Sequence, residues 1–381
     1  MALTQNNFTG FETGGLEEAT GGTTGTPDAT EATVVRSGAR ALKCPGAATA
    51  AEYRLLIAGG GVSNAGNNQI VGVAVQFNDI TPSTSIKFLV ARGDGDQNIA
   101  LVLEATTGDL LLMDSTDTEI GSAAAPFTVD TWHFIEIHWK EDGSTGLAEV
   151  FLDDSSVIGE LTSRDFLQTA AAQDYQLSGG VTASEDTYFD DFYCMSGATA
   201  ASDRLGDCEV FKYQSLKASA TPDDGGDNLT TGNWGDAGET PLDNDLNAIG
   251  YTAAAAGAVD SDAANGSPEG PKNDARIDGD SNIKAIKGVW NMRRGSGPGS
   301  DHFGLLGNDV DGTTKSADFA PGTAYANKFF ISVAASVVPL STEYCRIGIE
   351  TTGNQDFECG DMWAMLLHVP SAGEAPTGTG V

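Results

Sequence analysis

Chemistry in this chain would have to be built from four histidines and a large surplus of acids, and their spacing restricts what that chemistry is. His133, His138, His302 and His368 are too few and too scattered for a metal-ligating set. His133 and His138 sit five apart on one strand-like run, so they point to opposite faces and read as satisfied structural histidines. A glycosidase needs two carboxylates flanking the scissile bond, about 5 Å apart for a retaining pair. The run Trp132–Trp139 places Trp132, Phe134, Glu136 and His138 on one face, where Glu136 is the single acid. No G-x-S-x-G, H-E-x-x-H or G-x-x-x-x-G-K-[ST] occurs. The catalytic set therefore reads as none, and the chain as a non-enzyme.

Binding chemistry is better represented. Trp132 and Trp234 have the polar-tipped rings that stack on sugars, and Phe134 and His138 share the face of Trp132. These four are the candidate glycan contacts. Trp132 reads first as a structural residue closing one end of the sandwich, and Trp234, the better candidate for an exposed contact, suits docking between domains equally. Asp94–Asn98 and Asp278–Asn282 both read D-x-D-x-N, without the later Gly and Glu of a calcium loop, and are read as turns. Arg92-Gly93-Asp94 matches the integrin tripeptide, a string too short to carry an argument.

Charge narrows the partners. Lys and Arg number 20 against 54 Asp and Glu, a net charge of −34. Such a surface repels nucleic-acid phosphates and anionic membranes, so neither is expected as a partner. It serves solubility, with docking on a basic surface or binding of divalent cations as alternatives. The start, MALTQNNFTG, lacks a basic n-region and an apolar h-region, and no apolar run approaches the ~20 residues of a membrane span. The expectation is a protein made in the cytoplasm. Cys44, Cys194, Cys208, Cys345 and Cys359 are odd in number and widely spaced, and read as reduced, buried small hydrophobes.

The elements that must position these residues are strands. Helical periodicity is nearly absent, while short apolar runs recur between Gly, Asp, Asn and Thr clusters. Strands are expected near 39–43, 53–57, 70–77, 85–91, 99–105, 109–114, 132–140, 148–152, 156–161, 175–177 and 187–195. That is too many for one open sheet, so two antiparallel sheets must pack face to face. In 132–139 the Ile135 and Ile137 pair is expected to face the core, leaving Phe134, Glu136 and His138 on the outer surface. Tyr53–Ile57 loses clean alternation and is expected to be buried on both sides. The composition shifts after Gly197. The organisation expected is a jelly roll over 1–200, a linker strand over 201–220, a second, smaller β-sandwich-like domain over 221–370 and a polar tail over 371–381. Thr252–Asp274 is expected to be a long loop, with strands returning at 283–291, 303–306, 329–338, 344–350 and 361–369.

Several segments in the first half carry a family likeness. Arg36-Ser37-Gly38-Ala39-Arg40-Ala41-Leu42-Lys43, then Asp130-Thr131-Trp132-His133-Phe134-Ile135-Glu136-Ile137, then Ala148–Val157 with Asp153-Asp154 at its turn, resemble successive strands of the laminin-G/concanavalin A-like jelly roll. Phe11-Glu12 and Tyr188-Phe189-Asp190-Asp191-Phe192-Tyr193 resemble the paired first and last strands of such domains. Polysaccharide-cleaving relatives carry an E-x-D-x-x-E run, which is absent here. The resemblance implies a structural Ca2+ held by Glu12, Asp190 and Asp191. Ser202-Asp203-Arg204-Leu205-Gly206-Asp207-Cys208-Glu209-Val210, with Trp234 beyond, resembles the junction between a laminin-G-like domain and a second β domain in bacteriophage virion proteins. That resemblance implies a structural part of a virion, as capsid decoration, head fibre or tail component. Its partners would be its own copies, a capsid or tail protein, and host-surface glycan. A carbohydrate-binding adhesin or lectin module is the alternative reading, and a polysaccharide-degrading enzyme of the same fold a further one.

Overall fold

The computed structural model describes residues 4–12, 26–46, 51–56, 67–167, 170, 172–213, 229–231, 249–252, 257–260, 282–294, 302–308, 312–324, 326–333, 345–351 and 356–370. Among them the architecture is all-β, with one 3-10 turn at Ala201–Asp203. No helix among the described residues is long and apolar enough to cross a membrane. The chain divides into two compact units, one running through Cys208 and the other starting at Glu209.

The first unit contains β1 (Thr4–Thr9), β2 (Asp28–Glu31), β3 (Ala41–Cys44), β4 (Glu52–Leu56), β5 (Asn67–Phe77), β6 (Ile86–Gly93) and β7 (Asp96–Leu103). It continues with β8 (Leu110–Met113), β9 (Glu119–Ala123), β10 (His133–Glu141), β11 (Gly146–Leu152), β12 (Ser155–Arg164), β13 (Asp174–Ser178) and β14 (Thr187–Ser196). One sheet runs β12-β11-β10-β5-β14-β3-β2, with β1 also beside β14. The other runs β4-β13-β6-β7-β8-β9. Every pairing is antiparallel, so each strand can bury one face against the opposite sheet.

Alternation decides which face that is. Ile135 pairs with Val73 and Ile137 with Val71, and all four lie in one apolar core with Trp139, Leu101, Leu103, Phe88 and Leu177. The Ile pair thus faces the core as its spacing requires. Tight turns set the register. Asp94-Gly95 joins β6 to β7 with φ of +50° and +90°, and Asp153-Asp154 joins β11 to β12 with φ of +47° and +63°. Both are two-residue connections whose positive φ matches the strand twist, and aspartate tolerates that region better than most residues. The first D-x-D-x-N string is accordingly a hairpin tip.

Two details differ from expectation. β4 is an edge strand, in which Tyr53 and Leu55 point inward and Glu52 and Arg54 outward. It buries one face because Tyr53 and Leu55 enter the core between the sheets, while Glu52 and Arg54 lie on the face away from it. The face opposite the Ile pair is not an open surface: Phe134, Glu136 and His138 are 3%, 1% and 3% exposed.

The second unit holds β15 (Glu209–Tyr213), β16 (Leu229–Thr231), β17 (Ile249–Thr252), β18 (Gly257–Asp260), β19 (Asn282–Arg294) and β20 (His302–Asn308). It ends with β21 (Gly312–Asp318), β22 (Ala326–Ser332), β23 (Cys345–Thr351) and β24 (Asp356–Val369). Its sheets run β16-β17-β24-β19-β22, with β15 also on β24, and β18-β23-β20-β21. Trp290, fully buried, packs against Phe319 with ring centroids 5.1 Å apart. β18 lies inside the stretch expected to be a long loop, because Gly257–Asp260 pairs with β23 despite its Ala- and Gly-rich surroundings. The segment expected to be a linker is divided: 201–208 belongs to the first unit, and β15 pairs with β24 in the second.

Leu101, fully buried in the first core, tests this packing. Leu101→Ala is expected to cost about 2–5 kcal/mol in urea unfolding; a loss under about 0.5 kcal/mol, the usual range of surface changes, would contradict the placement.

Candidate functional site

The acids expected to act as ligands do converge, around a bulge in β14. Phe189 pairs with β3 and Phe192 with β1, so these two strands share one edge of β14 and change over between them. The register against β5 slips at the same place, and Asp191 takes φ +50°. An extra residue of this kind turns neighbouring side chains out of alternation. Asp190 and Asp191 are therefore both fully buried, where alternation alone would put one inward and one outward.

Buried carboxylates need donors, and the chain leading into β3 supplies them. Asp190 Oδ2 accepts from the Arg36 and Ser37 amides at 3.0 and 3.2 Å, and Oδ1 from the Asp191 amide at 2.9 Å. Asp191 accepts from the Ser37 hydroxyl at 2.6 Å and pairs with the Arg36 guanidinium. Arg36 also donates to the Cys208 carbonyl at 2.8 Å and pairs with Asp207. Glu12 accepts from the Ala39 amide at 3.0 and 2.9 Å. Gly38, at φ +64°, is required there, since a Cβ would lie 1.7 Å from Glu12 Oε1. Burial, with Asp191 and Glu12 close by, pushes the Asp190 carboxyl well above the usual carboxylate range.

Calcium would need six to eight oxygens around it. Among the described residues no group of three or more His, Cys, Asp or Glu is arranged to hold a metal ion. N–H donors occupy the carboxylate oxygens of Glu12 and Asp190, and Asp191 accepts from the Ser37 hydroxyl and pairs with Arg36.

The face carrying Phe134, Glu136 and His138 is covered by the strap that follows β14. Glu136 accepts from the Gly206 amide at 3.0 Å, from the Tyr193 hydroxyl and from the Arg204 guanidinium. Arg204 lies 3.5 Å over the Phe151 ring. Phe134 stacks on Tyr193, centroids 6.3 Å apart, with Arg36 5.3 Å from its ring. Gly72 makes room for Tyr193, since a Cβ there would lie 2.3 Å from the ring. Burial raises the Glu136 carboxyl against these donors. His133 is satisfied, with Nδ1 2.7 Å from Asp153 and Nε2 accepting from the Thr128 amide at 3.1 Å. His138 departs from the expectation of a satisfied histidine: neither ring nitrogen has a partner, and burial holds its pKa below the ordinary value. Phe134 and His138 are thus enclosed by their own chain rather than presented to a glycan. Trp132 is half-buried just before β10, and Trp234 lies outside the described residues.

Two further buried acids are structural. Glu141 accepts from Gln69 and Asn98 at 2.8 and 2.9 Å and from the Ala172 amide, and burial raises its pKa. Glu185 accepts from Ser83 and from the Val181 and Thr182 amides. Burial alone would raise Glu185, but the Ser83 and Thr182 donors outweigh it and bring the carboxyl to about 2.

An open groove of about 500 Å³ lies on the outer face of the second sheet, lined by residues including Glu52, Lys87, Arg92, Gln97, Gln176 and Ser178. The sequence reading missed it. Its only trace was the polar member of each alternating pair in β4, β6 and β13.

No protein-family model matches this chain, and no curated protein does. Solved structures resemble it weakly. The receptor-binding domain of botulinum neurotoxin mosaic serotype C/D matches at 11% identity and TM-score 0.34, over 48% of this chain and 43% of that one, so less than half of that relative is spanned. Domain 4 of the arabinanase AbnA from Geobacillus stearothermophilus, in complex with arabinotriose, matches at 16% and 0.35, over 53% and 97%. A carbohydrate esterase from Shiga toxin-encoding bacteriophage phi24B matches at 14% and 0.36, over 52% and 100%. At these scores the likenesses assign no activity or ligand to this chain.

Two outcomes follow from the buried charges. Arg36→Ala leaves Asp191 buried without its cation and is expected to cost about 3–5 kcal/mol, with Arg36→Lys recovering part of that; urea unfolding of both variants checks it. A raised carboxyl binds its proton more tightly folded than unfolded, so Glu136, Glu141 and Asp190 make stability fall as pH rises from about 4 through their folded values. Glu185 acts oppositely, and its contribution is lost only as pH falls toward about 2. Melting is thus expected to be higher at mildly acidic than at mildly basic pH. Glu141→Gln should flatten that slope; an unchanged slope would contradict the assignment to Glu141.

Proposed function

We propose that this protein is a non-enzymatic structural component of a bacteriophage particle, as capsid decoration, head fibre or tail part, with an adhesive role toward host-surface glycan. One observation supports the reading above others. Phe189-Asp190-Asp191-Phe192 and Leu205-Gly206-Asp207-Cys208, which together resemble the virion-protein junction, close on each other through Arg36 of the segment that resembles an early laminin-G strand. Glu136, the acid best placed for catalysis in the sequence, is enclosed by Tyr193, Arg204 and Gly206. The acids of these motifs hold architecture, which suits a part that builds and binds. Its partners are its own copies and a capsid or tail protein. The groove on the second sheet favours the related reading of a carbohydrate-binding module, and the two readings are compatible.

A structural Ca2+ belongs to the same proposal. The ion would sit at Glu12, Asp190 and Asp191, where three acids lie close together and Arg36 is the basic residue that pairs with them, and it would have to displace the Arg36, Ser37, Ala39 and Asp191 donors that these carboxylates accept from.

Mass spectrometry of purified particles is expected to find the chain at fixed copy number; particles that lack it would overturn the virion role. Release of reducing ends from β-glucans or alginate, abolished by Glu136→Gln, would overturn the non-enzymatic one. Added Ca2+ is expected to raise the melting temperature more at basic than at acidic pH, and a chelator to lower it; no shift in either direction discards the ion.

A further inference from the structure

The groove on the second sheet has a directional polar floor. Arg92 Nη1 donates to Gln176 Oε1 at 2.7 Å, and Gln176 Nε2 donates to Ser178 Oγ at 2.9 Å. Gln176 thus accepts from Arg92 and donates to Ser178. The relay starts at a cation and ends at a hydroxyl that accepts from Gln176 and keeps one proton of its own to donate. Gln176 and Ser178 are only 5% and 4% exposed, so the relay forms the bottom of the groove rather than a solvated rim. Glu52 pairs with Ser178 in register across β4 and β13, which puts an acceptor beside the terminal donor. Lys87 and Gln97, bonded to each other at 3.2 Å, repeat the donor–acceptor pairing on β6 and β7.

Charge then selects the ligand class. Two cations, Lys87 and Arg92, and two acids, Glu52 and Asp96, line the groove and cancel formally. Around it the chain carries −34. A polyanionic sugar would meet no net positive field in the groove and a repulsive one outside it. Adjacent donors and acceptors suit vicinal hydroxyls, each of which gives one hydrogen bond and takes another. No lining residue is aromatic, so the contact is with the hydroxyl edges of the rings rather than their faces.

We infer that this groove binds a neutral, polyhydroxylated oligosaccharide through the Arg92–Gln176–Ser178 relay. The inference rests on the adhesive reading above and adds its site and its ligand class. The test is calorimetric titration of the full chain with hexasaccharides of glucose, of xylose and of galacturonate, at low and at physiological salt. Ser178→Ala and Arg92→Met are measured beside Lys140→Ala, which lies away from the groove. A neutral hexasaccharide is expected to bind with little salt dependence and galacturonate not to bind. Ser178→Ala and Arg92→Met should each weaken binding about tenfold, the equivalent of one hydrogen bond of about 1.4 kcal/mol, at unchanged melting temperature. Should a variant melt early, the other carries the test, since they remove opposite ends of the relay. Tighter binding of galacturonate would overturn the ligand class and leave adhesion standing. Neutral binding untouched by both variants would overturn the site. Failure of all three sugars to bind would remove the adhesive reading together with the inference.

Discussion

Three buried acids at one bulge are the constraint around which the first unit is arranged. β1 and β3 share an edge of β14, and where one gives way to the other the backbone has amides that no strand can pair. Asp190 takes up the amides of Arg36, Ser37 and Asp191, and Glu12 that of Ala39, while Asp191 accepts from the Ser37 hydroxyl and the Arg36 guanidinium. Concentrating carboxylates in an apolar interior is costly unless charge and hydrogen bonds are both met. Arg36 supplies the charge, and its planar fork reaches Asp191, Asp207 and the Cys208 carbonyl together. The start of the domain, its last strand and its exit are thereby fixed to one another.

The strap beyond β14 extends the same logic. Its Arg204 meets Glu136 and lies on Phe151, while Gly206 donates to Glu136 and Tyr193 fills the space left by Gly72. One basic residue and one aromatic turn what would be an outer sheet face into a second, polar core. The acidic surplus is thus of two kinds. A few carboxylates are enclosed and hold architecture. The majority set the field that a partner meets. The groove on the second sheet is a place where the lining charges, Lys87 and Arg92 against Glu52 and Asp96, cancel formally.

Much of this was legible in the sequence, and what was hidden has physical reasons. The alternation in 132–139 gave the inward Ile135 and Ile137, because a period of two is a local property. Phe11-Glu12 and the Phe-Asp-Asp-Phe run pointed to paired terminal strands, and Glu12 does meet that region through Ala39. The burial of both Asp190 and Asp191 was not legible, since it depends on a bulge created where two other strands change places. The enclosure of Phe134 and His138 was hidden too, because the covering strap lies far along the chain and its residues look like a linker. The groove escaped notice because Gln176 and Ser178 carry no motif and the tripeptide at Arg92 says nothing of a groove; only the register of β4, β13 and β6 aligns them.

The central claim is that the Arg36 cluster and the sheets of the first unit open as one cooperative structure. Native-state hydrogen exchange of the individual amides tests it most directly. The Arg36, Ser37, Ala39 and Asp191 amides are expected to exchange only by global unfolding, at the same free energy as those of Val73 and Ile137 in the core strands. Exchange of the four by local opening, while Val73 and Ile137 stay protected, would contradict the account.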